Sequence, residues 1–119
     1  MIVPEVKVIY SVDLDGDELP PDPEDCAVLV NVDIGIRGED GADQFHFTTV
    51  TPRFLQRSND VRWGRSYLIV PRFSWEAVEA ALEKLLMHCR GEDWEAVANN
   101  LSKELHWEFE NYRLSESAA

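Results

Sequence analysis

Three histidines, two cysteines and one dense run of carboxylates are the side chains of this sequence best suited to chemistry. His46, His88 and His106 stand in no H-x-x-x-H or H-E-x-x-H spacing, the pattern that turns two imidazoles toward one zinc ion. His46 alternates with Phe45 and Phe47, so it faces solvent if the phenylalanines face a core. His88 and His106 are expected near the ends of two helices, where a cation is favoured. Cys26 and Cys89 lack a C-x-x-C spacing and read as two buried thiols in a reducing compartment. No G-x-S-x-G elbow, phosphate-binding loop or dinucleotide fingerprint occurs. The expectation is therefore no catalytic residue, no metal site and no cofactor.

The run Asp13-Leu14-Asp15-Gly16-Asp17 opens like a calcium loop, with Glu24 at the twelfth position. The sixth position, where such a loop turns sharply on glycine, is Glu18, and Pro20 and Pro21 interrupt the segment. A solvated acidic loop is the better account, and it offers a docking surface for basic side chains. Arg53, Arg57, Arg62, Arg65 and Arg72 are interleaved with Phe54, Trp63, Tyr67 and Phe73, superficially a nucleic-acid stacking pattern. Pairing of these arginines with the acidic segments explains them better. Trp75, Trp94, Trp107 and Phe109 read as packing residues, whereas Trp63 lies beside Gly64 in a polar loop and is expected to be exposed.

The elements that must carry these residues follow from periodicity. Val6, Val8 and Tyr10 alternate with Lys7, Ile9 and Ser11 as in a strand. Asp13 to Asp25, with seven acids, Gly16 and three prolines, is a surface loop. Cys26 to Arg37 places Val28, Val30, Val32, Ile34 and Ile36 on one strand face. Gly38-Glu39-Asp40-Gly41 then turns the chain into Phe45, Phe47 and Thr49, a hairpin. Thr51-Pro52 opens a short helical turn through Phe54 and Leu55. Tyr67 to Val70 is wholly apolar, as in a strand buried on both faces. Ser74 caps a helix with Trp75, Val78, Leu82, Leu85, Leu86 and Cys89 on one side, stopped by Gly91. Asp93 caps a second, with Trp94, Val97, Ala98, Leu101 and Leu105 on its stripe. Trp107 to Tyr112 alternates aromatic and polar, as in a last short strand or an extended segment. The fold class this predicts is α+β: a mainly antiparallel sheet covered on one face by two C-terminal helices. Residues 1–114 form one domain and 115–119 a frayed tail.

Composition narrows the function. The 119 residues are 45% hydrophobic, enough for one core. No apolar run reaches the ~20 residues of a membrane span. No secretion signal is read at the N-terminus, so the expected compartment is the cytoplasm. Acids outnumber bases 23 to 11, a net of −12. That sign opposes direct nucleic-acid and anionic-membrane binding and favours a basic protein partner. The charge is uneven: residues 1–43 carry 12 acids against Lys7 and Arg37, while residues 44–75 carry five arginines against Asp60.

An ordered series of residues adds a resemblance. Thr51-Pro52 with Leu55, the strand Tyr67 to Val70 and a helix opening on Trp75 come first. Gly91-x-x-Trp94-Glu95-x-Val97-Ala98-x-x-Leu101 follows and leads into Trp107-Glu108-Phe109-x-x-Tyr112. The series resembles the immunity protein 8 family of bacterial polymorphic toxin systems, from about the first strand to Tyr112. The closing Trp-Glu-Phe-x-x-Tyr signature is its most specific part; Asn111, where members usually carry an acid before the tyrosine, is a mild departure. The resemblance implies a non-enzymatic cytoplasmic protein that binds and neutralises a cognate toxin domain, and it leaves the toxin's activity open. Its motif residues read as structural, with specificity expected in the irregular loops. The expected toxin-binding residues are Asp13, Asp15, Asp17, Glu18, Glu39 and Asp40, with Trp63 as an apolar anchor. Acidic side chains would dock on a basic toxin surface, the substrate groove if the toxin is a nuclease. Two alternatives stand beside this: a non-catalytic adaptor for another protein, and a small enzyme with His46 or His106 beside a carboxylate in a deep pocket.

Overall fold

The computed structural model describes residues 1–109; Tyr112 and the expected tail at 115–119 lie outside them. Three antiparallel strands form the body of one mixed sheet: β1 (Pro4–Tyr10), β2 (Ala27–Ile36) and β3 (Asp43–Val50). The expected hairpin is β2–β3, in which Val28, Val30 and Val32 face Thr49, Phe47 and Phe45 across the ladder. Gly38 and Gly41 close it at φ +82 and +92, a conformation that favours glycine. The far edge of β3 is shared. Its C-terminal half pairs in parallel with β4 (Tyr67–Ile69), and its N-terminal half pairs antiparallel with β5 (His106–Trp107).

Three helices complete the fold: α1 (Pro52–Arg57), α2 (Trp75–Met87) and α3 (Trp94–Leu101). The expected caps are in place. The side chains of Thr51, Ser74 and Asp93 accept the backbone N–H of Phe54, Ala77 and Ala96 at 3.4, 3.1 and 2.8 Å. Val78, Leu82 and Leu86 of α2 and Val97, Ala98 and Leu101 of α3 share one buried cluster with the inward residues of β2 and β3. Burying such side chains supplies about 1.5–3 kcal/mol each before entropy is counted, so this cluster holds the layers together. No helix among the described residues is long and apolar enough to cross a membrane.

Several local expectations give way to tertiary context. β4 is a three-residue edge strand with Ile69 62% exposed, not a strand buried on both faces; it pairs with β3 along one edge and packs Leu68 on the core. α2 ends at Met87, before Gly91, which instead bridges to Ile2 through N–H···O bonds of 2.7 and 3.3 Å. α3 stops at Leu101, where Ser102 Oγ donates to the Ala98 carbonyl at 2.7 Å and the chain tightens into turns. His106 therefore lies on a strand and not at a helix end. Phe109 is 42% exposed, its ring edge-on to Trp107 at 5.8 Å. The largest departure is in β1. Val6 opposes Ile34, but Val8 opposes Asp33 and Ile9 opposes Val32, so a bulge at Lys7 shifts the register. Past it, Ile9 packs against the core while Val8 and Tyr10 turn outward, 48% and 39% exposed.

Candidate functional site

The loop that carries most of the expected binding residues joins β1 to β2 and lies at one end of the sheet. Its two halves differ in ion pairing. Asp25 accepts from Arg57 Nε at 2.8 Å, and Glu24 lies 3.7 Å from Arg53 and 3.8 Å from Arg72. Three of the five middle-segment arginines, Arg53, Arg57 and Arg72, thus pair with this acidic segment. Arg65 instead donates to the carbonyls of Ser102 and Leu105, and Arg62 bonds Asp60 and Tyr67. In the first half, Asp15, Asp17 and Glu18 are exposed and have no side-chain partner among the described residues. Asp13 serves the fold. One of its carboxylate oxygens accepts the Leu29 backbone N–H at 3.1 Å, just past the point where β1 stops pairing with β2. The loop is fixed below by Trp75, whose indole donates to the Glu18 carbonyl at 3.2 Å.

Glu39 and Asp40, the other expected acids, sit in the β2–β3 turn at the opposite end of the ten-residue β2. At ~3.3 Å per residue that is roughly 30 Å away. The fold does not bring the two acidic sets together. The turn is also locally compensated. Lys7 Nζ donates to the Glu39 carbonyl at 2.9 Å and to Glu5 at 3.2 Å, holding the Glu5 carboxyl below its ordinary range. Trp63 is 93% exposed with its neighbour Val61, on the segment leading from α1 into β4. β4 lies across the sheet from β1, so Trp63 precedes the strand farthest in that order from β1.

The three histidines fall in two places. His46 and His106 are cross-strand partners with stacked rings 4.7 Å apart. A cleft of about 330 Å³ lies elsewhere, lined mainly by Phe47, Leu82, Leu85 and Leu105 with His88 and Glu104. Neither His46 nor His106 reaches it. Among the described residues no group of three or more His, Cys, Asp or Glu side chains is placed to hold a metal ion.

Two relationships have no signal in the sequence, because both depend on partners distant in the chain. One is the outward turn of Val8 and Tyr10, whose hydroxyl accepts from Gln44 Nε2 at 3.1 Å across β2. The other is Asp43, half-buried at the start of β3, whose Oδ2 accepts the indole N–H of Trp94 at 2.7 Å and of Trp107 at 3.1 Å. Beside it Glu108 accepts the Gln44 N–H at 2.7 Å, continuing the sheet with a side chain. The Gly91-x-x-Trp94 and Trp107-Glu108-Phe109 motifs thus meet at the start of one strand.

No curated protein and no solved structure matches the chain. A family model does: residues 6–112 match Immunity protein 8, a span that holds every described strand and helix except the first two residues of β1. This chain belongs to the immunity protein 8 family.

Proposed function

We propose that this protein binds a bacterial toxin domain one-to-one in the cytosol and silences it by occlusion, with no catalysis of its own. The observation that carries the proposal is the family match across residues 6–112. The contact surface begins at the β1–β2 loop, where the carboxylates of Asp15, Asp17 and Glu18 face solvent without a counter-ion among the described residues. Their field attracts a basic toxin surface and speeds encounter. If that toxin is a nuclease, the carboxylates occupy positions that phosphates take in its groove. The Gly38–Asp43 turn is the weaker surface, since Lys7 and Arg37 offset its acids and Asp43 is engaged by two indoles. Trp63 extends the contact on its far side.

The test is co-expression. The toxin domain encoded beside this protein is induced with and without it, growth is followed, and the lysate is examined for a complex. Rescue together with co-purification is expected. Two folded proteins that neither rescue growth nor associate would overturn the reading and leave an adaptor for a different protein as its successor.

A further inference from the structure

The bulge in β1 does something the alternation of the sequence does not require. Continuing the register of Val6 would send Val8 and Tyr10 to the core and leave Ile9 and Ser11 outside. The bulge at Lys7 reverses this: Ser11 is 6% exposed, while Val8, Tyr10 and Val12 are 48, 39 and 72% exposed. Val8 and Tyr10 on the margin strand are thereby presented to solvent, with the exposed Val12 just past the strand's end, and bulges of this kind re-aim side chains at functional positions.

We infer that Val8, Tyr10 and Val12 form the apolar centre of the docking surface, and that it receives a folded, basic protein domain. The inference rests on the toxin-binding reading above and says where the toxin sits. The chemistry of the occupant follows from charge. No lysine or arginine occurs from residue 8 to residue 36, an interval holding eight acids. Val8 stands opposite Asp33 in the ladder, and Tyr10 and Val12 run directly into the loop of Asp15, Asp17 and Glu18. The complementary surface is an apolar recess flanked by lysine or arginine, matching the apolar centre and charged rim of protein interfaces. Tyr10 is held ready by the bond from Gln44 Nε2, so little side-chain entropy is lost on binding. The same strand discourages an extended peptide. Pro4 lacks an N–H, and the bulge and Lys7 spoil the edge for strand addition. Contact is by side chains.

The experiment uses the full chain and the toxin domain encoded beside it. The Val8→Thr, Tyr10→Thr, Val12→Thr triple variant puts a β-branched residue at each position, with Met87→Gln on the exposed face of α2 as control. The triple variant is expected to weaken the complex at least about tenfold, mainly through faster dissociation, while the control does not. Hydrogen exchange on the unaltered chain supplies a readout that does not depend on the variant's folding: residues 8–19 become protected in the complex and 37–41 do not. A complex that forms with residues 8–19 unprotected, or with the triple variant's affinity within twofold, overturns the inference and leaves the toxin-binding reading standing. Absence of any complex with the unaltered chain removes both.

Discussion

Trp94 and Asp43 are joined by a hydrogen bond of 2.7 Å that ties the first turn of α3 to the first residue of β3. Trp107 donates to the same oxygen from β5 at 3.1 Å, with its ring stacked over Phe45 at 6.3 Å. One carboxylate thus gathers a helix, a central strand and a closing strand, which explains why two separated tryptophan motifs mark the fold. Replacing Asp43 with alanine strands two partly buried donors and is expected to cost about 2–4 kcal/mol of stability. Asp43→Asn keeps one acceptor and costs less. Urea unfolding of both variants checks the order; equal midpoints for the alanine variant and the parent would show that the indoles find water instead.

Close approach makes the second prediction. A Cβ on Gly35 would stand 2.2 Å from the Gly41 carbonyl oxygen, inside the turn that closes the β2–β3 hairpin. That atom is backbone, so relief needs movement of the turn itself. Gly35→Ala is expected to lower stability by about 1–3 kcal/mol, the usual cost of overpacking. Thermal unfolding measures it, and an unchanged midpoint would mean the turn gives way freely.

Much of this was legible in the sequence, and the rest was not for one physical reason. Caps and helical stripes are local, so Ser74 and Asp93 announce α2 and α3 correctly. Alternation over Val28 to Ile34 and over Phe45 to Thr49 is strong enough to give the hairpin and its inward face. Trp63 is exposed as its polar neighbours suggest. What failed depends on partners distant in the chain. The bulge in β1 exists only against the register of β2. The sharing of one edge of β3 by β4 and β5 depends on segments from opposite ends of the second half. The acidic residues were visible as a set, but only the length of β2 separates Glu39 and Asp40 from Asp15 and Asp17.

Asp13 and its loop neighbours are expected to respond differently to substitution. Asp13→Ala removes the acceptor of the Leu29 N–H and should cost about 1 kcal/mol of stability. Asp15→Lys with Asp17→Lys alters exposed carboxylates that hold nothing else, so stability should stay within about 0.5 kcal/mol. In the presence of the toxin domain the double variant should associate more slowly and with weaker salt dependence. Stopped-flow association at several ionic strengths, beside urea melts, separates the two roles. Unchanged association would refute the electrostatic role of this loop.

Cys26 and Cys89 give the pH prediction. Burial pushes both thiols above their ordinary range; Asp22 and Asp25 add to this at Cys26, while Lys103 partly opposes it at Cys89. Both are 8% exposed or less, so native alkylation near pH 8 should be slow and should accelerate on unfolding. The sign for stability follows from proton linkage. A group whose pKa is raised by folding keeps its proton in the native state while the unfolded chain releases it. The stabilisation is complete below the unfolded thiol pKa of about 8.5 and declines as pH rises through it toward the folded value. The urea midpoint should therefore fall from about pH 8 upward, and replacing either cysteine with alanine should flatten that slope despite a lower starting stability. A slope identical in the parent and both variants would assign the alkaline loss to other groups.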